Sequence, residues 1–83
     1  MYREIEIKPS AKRNLRKLPS NEAGRILNQI YAMRNGLQGD VKKLHNYDPA
    51  YRLRVGVWRV LFDIEGDKIV VYSILHRKEA YKD

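Results

Sequence analysis

The 83-residue sequence predicts an α+β fold: an N-terminal strand, a two-helix hairpin and a three-stranded antiparallel meander, with the helices packed on one sheet face. Three observations predict it. Apolar and charged residues alternate near the start, apolar residues recur every three or four positions between residues 11 and 33, and three segments after residue 50 are rich in β-branched and aromatic residues. So short a chain has room for one core, and we expect a single domain over residues 1–83.

The first strand is predicted over residues 3–8, where isoleucines alternate with glutamates. Ser10 is expected to cap a first helix, and Ser20 is expected to cap a second helix that Asn35-Gly36 closes. Both helices carry an apolar stripe at helical spacing. The stripes consist of Ala11, Leu15 and Leu18 in the first helix and of Ala23, Ile26, Leu27, Ile30 and Met33 in the second.

Residues 36–50 contain two glycines and a proline and are predicted to be mostly loop, anchored by Leu44. The three strands of the meander follow, joined by two-residue turns in which glycine comes first, as type II′ hairpins require. The strands are predicted at Tyr51–Val55, Trp58–Ile64 and Lys68–Leu75, with turns at Gly56-Val57 and Gly66-Asp67. Residues 77–83 form a short helix or a tail.

Turns of this length fix the register and therefore the two sheet faces. One face is almost wholly apolar and includes Leu75, whereas the other carries Arg52, Arg54, Arg59 and Ile74 and ends at His76. Arg54 faces Arg59, an arrangement of like charges that destabilises a sheet by roughly 0.2–1 kcal/mol. No carboxylate evident from the sequence neutralises all three arginines. Because guanidinium groups match phosphate oxygens, the pattern favours a phosphate site over a merely solvated face.

The amino-acid composition limits the classes of function that this chain can have. A net charge of +7 favours a polyanionic partner, which RNA, DNA, an acidic protein or an anionic membrane would satisfy equally. The absence of cysteine excludes disulfides, thiolate metal sites and cysteine nucleophiles, and the two histidines show no metal-ligand spacing. We therefore expect no metal and no cofactor. Neither an apolar signal core nor a membrane-spanning run is present, so we expect a soluble, cytoplasmic protein without a membrane partner.

Three segments resemble the RelE/ParE toxin superfamily. Residues 51–62, YRLRVGVWRVLF, resemble its hairpin motif, YRxRxGxYRVxY. Lys43-Leu44 resembles the family's K-L loop segment, which adds Lys43 to the candidate phosphate-binding residues, and residues 76–81, HRKEAY, resemble its closing segment. The resemblance covers essentially the whole chain and implies the toxin of a type II toxin–antitoxin system.

For RelE-like members, the resemblance implies a ribosome-dependent endoribonuclease that cuts messenger RNA in the A site by attack of the 2′-hydroxyl on the scissile phosphate. It places Arg59 on the transition-state arginine, Arg77 on a second catalytic arginine and Tyr81 on the C-terminal tyrosine. The implied partners are messenger RNA, the 70S ribosome and a cognate antitoxin, acidic and RelB-like.

Arg52 and Arg54 occupy positions where some RelE members carry lysines. Arginine stays protonated in proteins, so both residues are poor general bases but good phosphate ligands. Proton transfer then falls to His76, Tyr81 or a group on the ribosome, and we expect His76 to act as the acid or base with Tyr81 assisting. From the residues alone, His76 could equally be structural, and Tyr81 could pack the tail onto the sheet.

Two other functions fit the same fold. A ParE-like poison would bind DNA gyrase and cut no RNA, although ParE-like members generally lack the set formed by His76, Arg77 and Tyr81. A non-catalytic nucleic-acid-binding module would also use the arginine face, although the chain shows no paired exposed aromatics of the stacking kind.

Overall fold

The computed structural model describes residues 4–80, which form two helices and a five-stranded sheet. The elements in chain order are β1 Glu4–Ile7, α1 Pro9–Arg16, α2 Ser20–Ala32, a 3₁₀ turn Met33–Asn35, β2 Asp40–Lys43, β3 Tyr51–Val55, β4 Trp58–Glu65 and β5 Lys68–His76. The strand order is β1-β5-β4-β3-β2, with β1 parallel to β5 and the other pairs antiparallel. The predicted α+β fold is confirmed.

The structure adds one strand to the prediction. Residues 40–43 were expected to be loop, but they pair antiparallel with β3 as the edge strand β2. Val41 is the only apolar residue of the four, so the segment has no alternating pattern to reveal it, and pairing with β3 decides its conformation. Leu44, the expected anchor of this region, is buried.

Both predicted helix caps are wrong by one or two residues. α1 begins at Pro9, whose fixed backbone angle suits the first helical position, and Ser10 lies inside the helix. Ser20 is likewise the first helical residue of α2 and follows Pro19 at the cap. The predicted end is confirmed, because Gly36 adopts the left-handed conformation that closes the 3₁₀ turn, with φ 103°.

The two hairpin turns are as predicted. Gly56 and Gly66 take φ values of 59° and 64°, and each turn has two residues. Residues that have a Cβ atom rarely adopt these backbone angles, which explains why glycine comes first in each turn.

Strand β5 contains a β-bulge that the sequence did not predict. Leu61 pairs with Ser73 and Phe62 with Val71, so Tyr72 is an extra residue on β5. An extra residue exchanges the two faces of a strand for every position that follows it. The predicted faces are therefore correct for the first half of β5 and reversed for the second half.

The reversal corrects three predicted positions. Ile74 was placed on the arginine face but pairs with Val60 and belongs to the core. Leu75 was placed on the apolar face but lies opposite Arg59. His76 was also placed with the arginines, yet it lies opposite Trp58, on the helix side of the sheet.

The main core lies between the helices and one sheet face. Its fully buried members come from both helices, from the 3₁₀ turn and from β3, β4 and β5, as their apolar stripes predict. They include Ala11, Ile26, Ile30, Met33, Leu53, Val60, Phe62, Ile69 and Val71. On the outer face, Leu61 and Val70 are also buried, and the segment before β3 is tied to that face because Ala50 N–H donates to Asp63 Oδ1 at 2.8 Å.

Side chains of α1 complete the backbone hydrogen bonds of β5. Strand β1 pairs with β5 only as far as Val71. Beyond that point, Ser10 Oγ donates to Tyr72 O at 2.6 Å, and Ile74 N–H donates to Asn14 Oδ1 at 2.9 Å. Ser10 and Asn14 are four residues apart and therefore share one helix face. The helix thus attaches to the strand where β1 leaves it.

Replacing Asn14 tests this attachment. We expect Asn14→Ala to lower the free energy of unfolding by about 1–3 kcal/mol, because it leaves a partly buried Ile74 N–H without an acceptor. Urea denaturation measures the loss. The matched control is Asn28→Ala on the exposed side of α2, expected to cost less than about 0.5 kcal/mol apart from helix propensity. Equal losses in the two variants would contradict the attachment.

An ion-pair cluster joins β1 to β5. Glu6 Oε2 lies 2.8 Å from Lys8 Nζ, and Glu6 Oε1 lies 2.9 Å from Lys68 Nζ. Hydrogen bonds from Lys8 and then from Lys68 lower the pKa of Glu6 from 4.5 to about 2. Because the folded-state pKa is depressed, this carboxylate stabilises the fold above pH 4.5, and the contribution disappears as the pH falls towards about 2.

This cluster gives a pH-dependent prediction. We expect Glu6→Gln to lower the melting temperature near neutral pH, and the difference from the wild type to shrink as the pH falls from 4.5 towards about 2. Thermal unfolding followed by circular dichroism at several pH values measures it. Glu4→Gln is the control, since it removes a carboxylate from the same strand and leaves both Glu6 ion pairs in place. A difference independent of pH would count against the ion-pair explanation.

Candidate functional site

The predicted arginine face forms around the hairpin of β3 and β4. Arg54 lies directly opposite Arg59, and Arg52 lies opposite Leu61 one pleat away. The geometry derived from the two-residue turn is therefore confirmed for these three arginines. What surrounds them differs from the prediction.

Asp40 neutralises part of the arginine face, as a carboxylate that was not evident there from the sequence. It lies opposite Arg54 on β2. Arg52 Nη1 donates to Asp40 O at 3.0 Å and to Asp40 Oδ1 at 3.1 Å, and Arg54 Nε lies 4.0 Å from Asp40 Oδ2. The Arg52 side chain is 10% exposed and that of Arg54 is 55% exposed. Arg54 is therefore the more accessible cation.

The Arg59 guanidinium lies against the turn between β3 and β4. Its Nη1 donates to Gly56 O at 2.9 Å and to Trp58 O at 3.1 Å. A guanidinium has five N–H groups, and Nε and Nη2 have no partner among residues 4–80. These donors can receive an anion while Nη1 holds the group in place.

His76 packs against Trp58 on the helix side of the sheet. The two rings meet edge to face, with centroids 5.4 Å apart, and Trp58 Nε1 donates to Glu22 Oε1 at 3.4 Å. Lys78 N–H donates to His76 Nδ1 at 3.1 Å. This hydrogen-bond pattern assigns the proton of the neutral ring to Nε2.

Arg77 also lies at the turn between β3 and β4. Its backbone N–H donates to Val57 O at 2.8 Å, and its side chain is exposed. The turn between β3 and β4 therefore brings Arg54, Arg59, His76 and Arg77 to one end of the sheet, although His76 and the arginines of β3 and β4 occupy opposite faces. Tyr81 lies outside the described residues.

Lys43 does not join the arginines. It lies opposite Tyr51 and so on the helix side of the sheet, whereas Lys42 lies opposite Arg52 on the arginine face. Sequence reasoning missed Lys42 and Asp40 because it did not recognise β2. It also missed Arg25, whose Nη2 lies 2.9 Å from the position that a Cβ would take on Gly56.

A cleft of about 310 Å³ lies beside this end of the sheet. It is lined by Asn14, Lys17, Leu18, Trp58, Ile74, Leu75 and Glu79. No group of three histidine, aspartate or glutamate side chains suited to a metal ion occurs within residues 4–80. Within the same residues, no helix has the length and apolar character needed to cross a membrane. The side chains at this end of the sheet can therefore bind an anion through guanidinium groups, next to one imidazole.

Comparisons with known proteins agree on the kind of protein. The family described as "ParE toxin of type II toxin-antitoxin system, parDE" matches residues 5–81. Toxin RelE3 of Methanocaldococcus jannaschii is 43% identical over 47 residues, which are 57% of this chain and 53% of that protein. The chain thus spans about half the length of this curated relative.

Solved structures share the fold. A chain of the RelB–RelE antitoxin–toxin complex from Methanococcus jannaschii is 30% identical, with a TM-score of 0.74 and coverage of 88% of this chain and 91% of that one. The toxin–antitoxin complex RelBE2 from Mycobacterium tuberculosis is similar at 21% identity, with a TM-score of 0.78 and coverage of 93% of this chain and 100% of that one. The archaeal RelE–RelB complex from Pyrococcus horikoshii is similar at 24% identity, with a TM-score of 0.72 and coverage of 96% of this chain and 100% of that one. The last two matches show the fold alone.

The two arginines of β3 should differ in their effect on stability. We expect Arg52→Gln to lower the free energy of unfolding by about 1.5–3 kcal/mol, because it removes the hydrogen bonds that the largely buried Arg52 guanidinium donates to the backbone oxygen and the carboxylate of Asp40. Arg54→Gln is the matched variant on the exposed side chain and should cost less than about 1 kcal/mol. Urea denaturation of both variants measures the difference. The assignment of Arg52 to Asp40 would be contradicted if Arg54→Gln were the more damaging change.

Proposed function

Because the chain belongs to the family of ParE toxins of type II toxin–antitoxin systems, within the RelE/ParE superfamily, we propose that it is a ribosome-dependent endoribonuclease that cleaves messenger RNA in the A site. The observation that carries the proposal is the meeting of Arg59, His76 and Arg77 at the turn between β3 and β4. An anion-binding group and a titratable ring at one strand end suit phosphodiester cleavage.

In the proposed reaction, a ribose 2′-oxygen attacks the adjacent phosphorus and loses its proton. The bond to the 5′-oxygen of the next nucleotide breaks, and that oxygen gains a proton, so the products are a 2′,3′-cyclic phosphate and a free 5′-hydroxyl. Arg59 would offer Nε and Nη2 to the phosphate oxygens while Nη1 stays on the turn. Arg54, with Arg52 beside it on the arginine face, and Arg77 would bind the phosphate backbone and favour the charge that develops on it, whereas Lys43 on the opposite face has no part in this.

Proton transfer is assigned to His76, with Tyr81 assisting. The ring presents Nε2–H, because Nδ1 accepts a hydrogen bond from Lys78 N–H. That bond has to break before His76 can take up a second proton, so the turn at residues 77–80 has to shift when the substrate binds. The arginine side chains of β3 and β4 cannot replace His76 as bases, since they stay protonated.

The proposed partners follow from the same family. Structural relatives are RelB–RelE complexes, and we propose that a cognate antitoxin of acidic, RelB-like character binds this chain. An acidic partner would offset the net charge of +7. Messenger RNA and the 70S ribosome, both in the cytoplasm, are the proposed targets, and no metal or other cofactor has a part in the reaction.

A second candidate function is the poisoning of DNA gyrase. The specific observation in its favour is that the matching family is the one described as ParE toxins. The position of His76 on the opposite sheet face from Arg54 and Arg59 also favours binding over cleavage. A gyrase supercoiling assay with the purified chain separates this candidate from the ribonuclease.

Primer extension on a translated messenger with purified 70S ribosomes tests the ribonuclease. We expect ribosome-dependent cuts inside A-site codons, and we expect Arg59→Leu or Arg77→Leu to reduce the cleavage rate by at least about 10²-fold, because each removes a donor to the transition-state phosphate. Arg34→Leu, which removes an exposed arginine from the 3₁₀ turn, is the matched control and should retain cleavage. Circular dichroism checks that the variants fold.

Either of two results would overturn the ribonuclease proposal. One is full cleavage by Arg59→Leu and Arg77→Leu, because the proposed phosphate ligands would then be dispensable. The other is the absence of cuts with folded wild-type protein and active ribosomes, in which case inhibition in the supercoiling assay would favour the gyrase candidate.

A further inference from the structure

Helix α2 brings one further arginine to the turn between β3 and β4. Arg25 is exposed, and its Nη2 lies 2.9 Å from the position that a Cβ would take on Gly56. A real Cβ at that distance would displace the guanidinium, so the missing side chain of Gly56 is what allows Arg25 to approach the turn this closely. The φ of 59° favours glycine at this position as well, and one residue therefore serves both the hairpin and the contact with α2.

Two guanidinium groups meet at Gly56 from different sides. Arg59 belongs to the arginine face, and its Nη1 donates to Gly56 O at 2.9 Å. Arg25 belongs to α2 and lies on the helix side, where a side chain of residue 56 would otherwise be. Like charges that approach one backbone residue repel each other, and an anion beside them offsets the repulsion. The arrangement therefore favours an anion at the turn.

Arg25 has no acidic partner within the described part of the chain. The one carboxylate of α2 is Glu22, one turn earlier, at a spacing that often gives an ion pair. Glu22 Oε1 instead accepts a hydrogen bond from Trp58 Nε1 at 3.4 Å. Because Arg25 forms no hydrogen bond or ion pair with another of residues 4–80, its five N–H groups are available to a ligand.

The helix side of the sheet is also the side on which His76 lies. The rings of His76 and Trp58 meet edge to face there, with centroids 5.4 Å apart, and Trp58 in turn donates to the first turn of α2. The arginines of β3 and β4 occupy the opposite face. Arg25 therefore supplies a cation on the side of the imidazole, which the arginine face does not.

We infer that Arg25 binds the messenger phosphate next to the scissile one, so that the RNA backbone crosses the end of the sheet from Arg59 on the arginine face to Arg25 on the helix side. A single strand suits this path, because without a paired strand it can bend around the turn. Arg25 is a phosphate-binding residue with no part in proton transfer, since arginine stays protonated. The choice of messenger RNA as the ligand rests on the proposed function.

The first part of the test is single-turnover cleavage on programmed 70S ribosomes at increasing concentrations of the full chain. We expect Arg25→Gln to raise the half-saturating concentration about tenfold, as loss of one hydrogen bond to a charged group implies, and to change the rate at saturation less than about threefold. A contact with a phosphate that does not react stabilises the ground state and the transition state equally. The matched control is Arg34→Gln, which removes an exposed arginine from the 3₁₀ turn and should change neither quantity.

The second part identifies the phosphate with messengers that carry one uncharged methylphosphonate linkage. It lies on the 5′ side of the scissile linkage in one messenger and on the 3′ side in the other. Each has a 2′-O-methyl ribose that prevents self-cleavage at the modified linkage, and reference messengers carry the 2′-O-methyl group alone. On one of the two methylphosphonate messengers, we expect Arg25→Gln and the wild type to give the same half-saturating concentration, because the charge that Arg25 binds is gone.

The inference is overturned if the variant and the wild type differ equally on both methylphosphonate messengers and on their references, since Arg25 would then contact a different group. It is also overturned if Arg25→Gln matches the wild type on the unmodified messenger, or if Arg34→Gln shows the same loss. In these cases, cleavage by the wild type leaves the proposed function standing. Absence of cleavage by folded wild-type protein on active ribosomes overturns the proposed function and this inference with it.

Discussion

The backbone of β5 has to find hydrogen-bond partners along its whole length, and the rest of the structure follows from how it does so. Strand β4 pairs with one side throughout, whereas the other side is shared between β1 and the side chains of α1. The strand therefore fixes the parallel position of β1 and the attachment of α1. Because unpaired peptide groups are costly inside a protein, an element missing from either side would expose a central strand.

The bulge at Tyr72 has its effect at the candidate site. Without the extra residue, His76 would lie with Arg54 and Arg59, but with it the ring packs on Trp58 at the helix side. The imidazole thus has a rigid aromatic neighbour, whereas the arginines face solvent and Asp40. The proposed site is therefore the end of the sheet, where groups from both faces meet, and not one face of it.

The elements with strong local patterns could be predicted from the sequence. Alternation, helical spacing and glycine-first turns give the strands, the helices and the pairing of Arg54 with Arg59. Strand β2 could not be predicted, since it is short, charged and stabilised by pairing with β3. The bulge could not be predicted either, because no glycine at or beside Tyr72 indicates it. For this reason the prediction placed His76 on the wrong face of the sheet. Asp40 was missed together with its strand.

The pairing of β1 with β5 also bears on when the fold can be completed during synthesis. Glu6 and Lys68 are 62 positions apart, as are Ser10 and Tyr72, so the first and last elements of the sheet meet only across nearly the whole chain. Contacts of such high contact order form late in folding, because a long loop has to close first. During synthesis, β1 and α1 have no strand to attach to until β5 has been made. The sheet is consequently completed only after most of the chain has been translated.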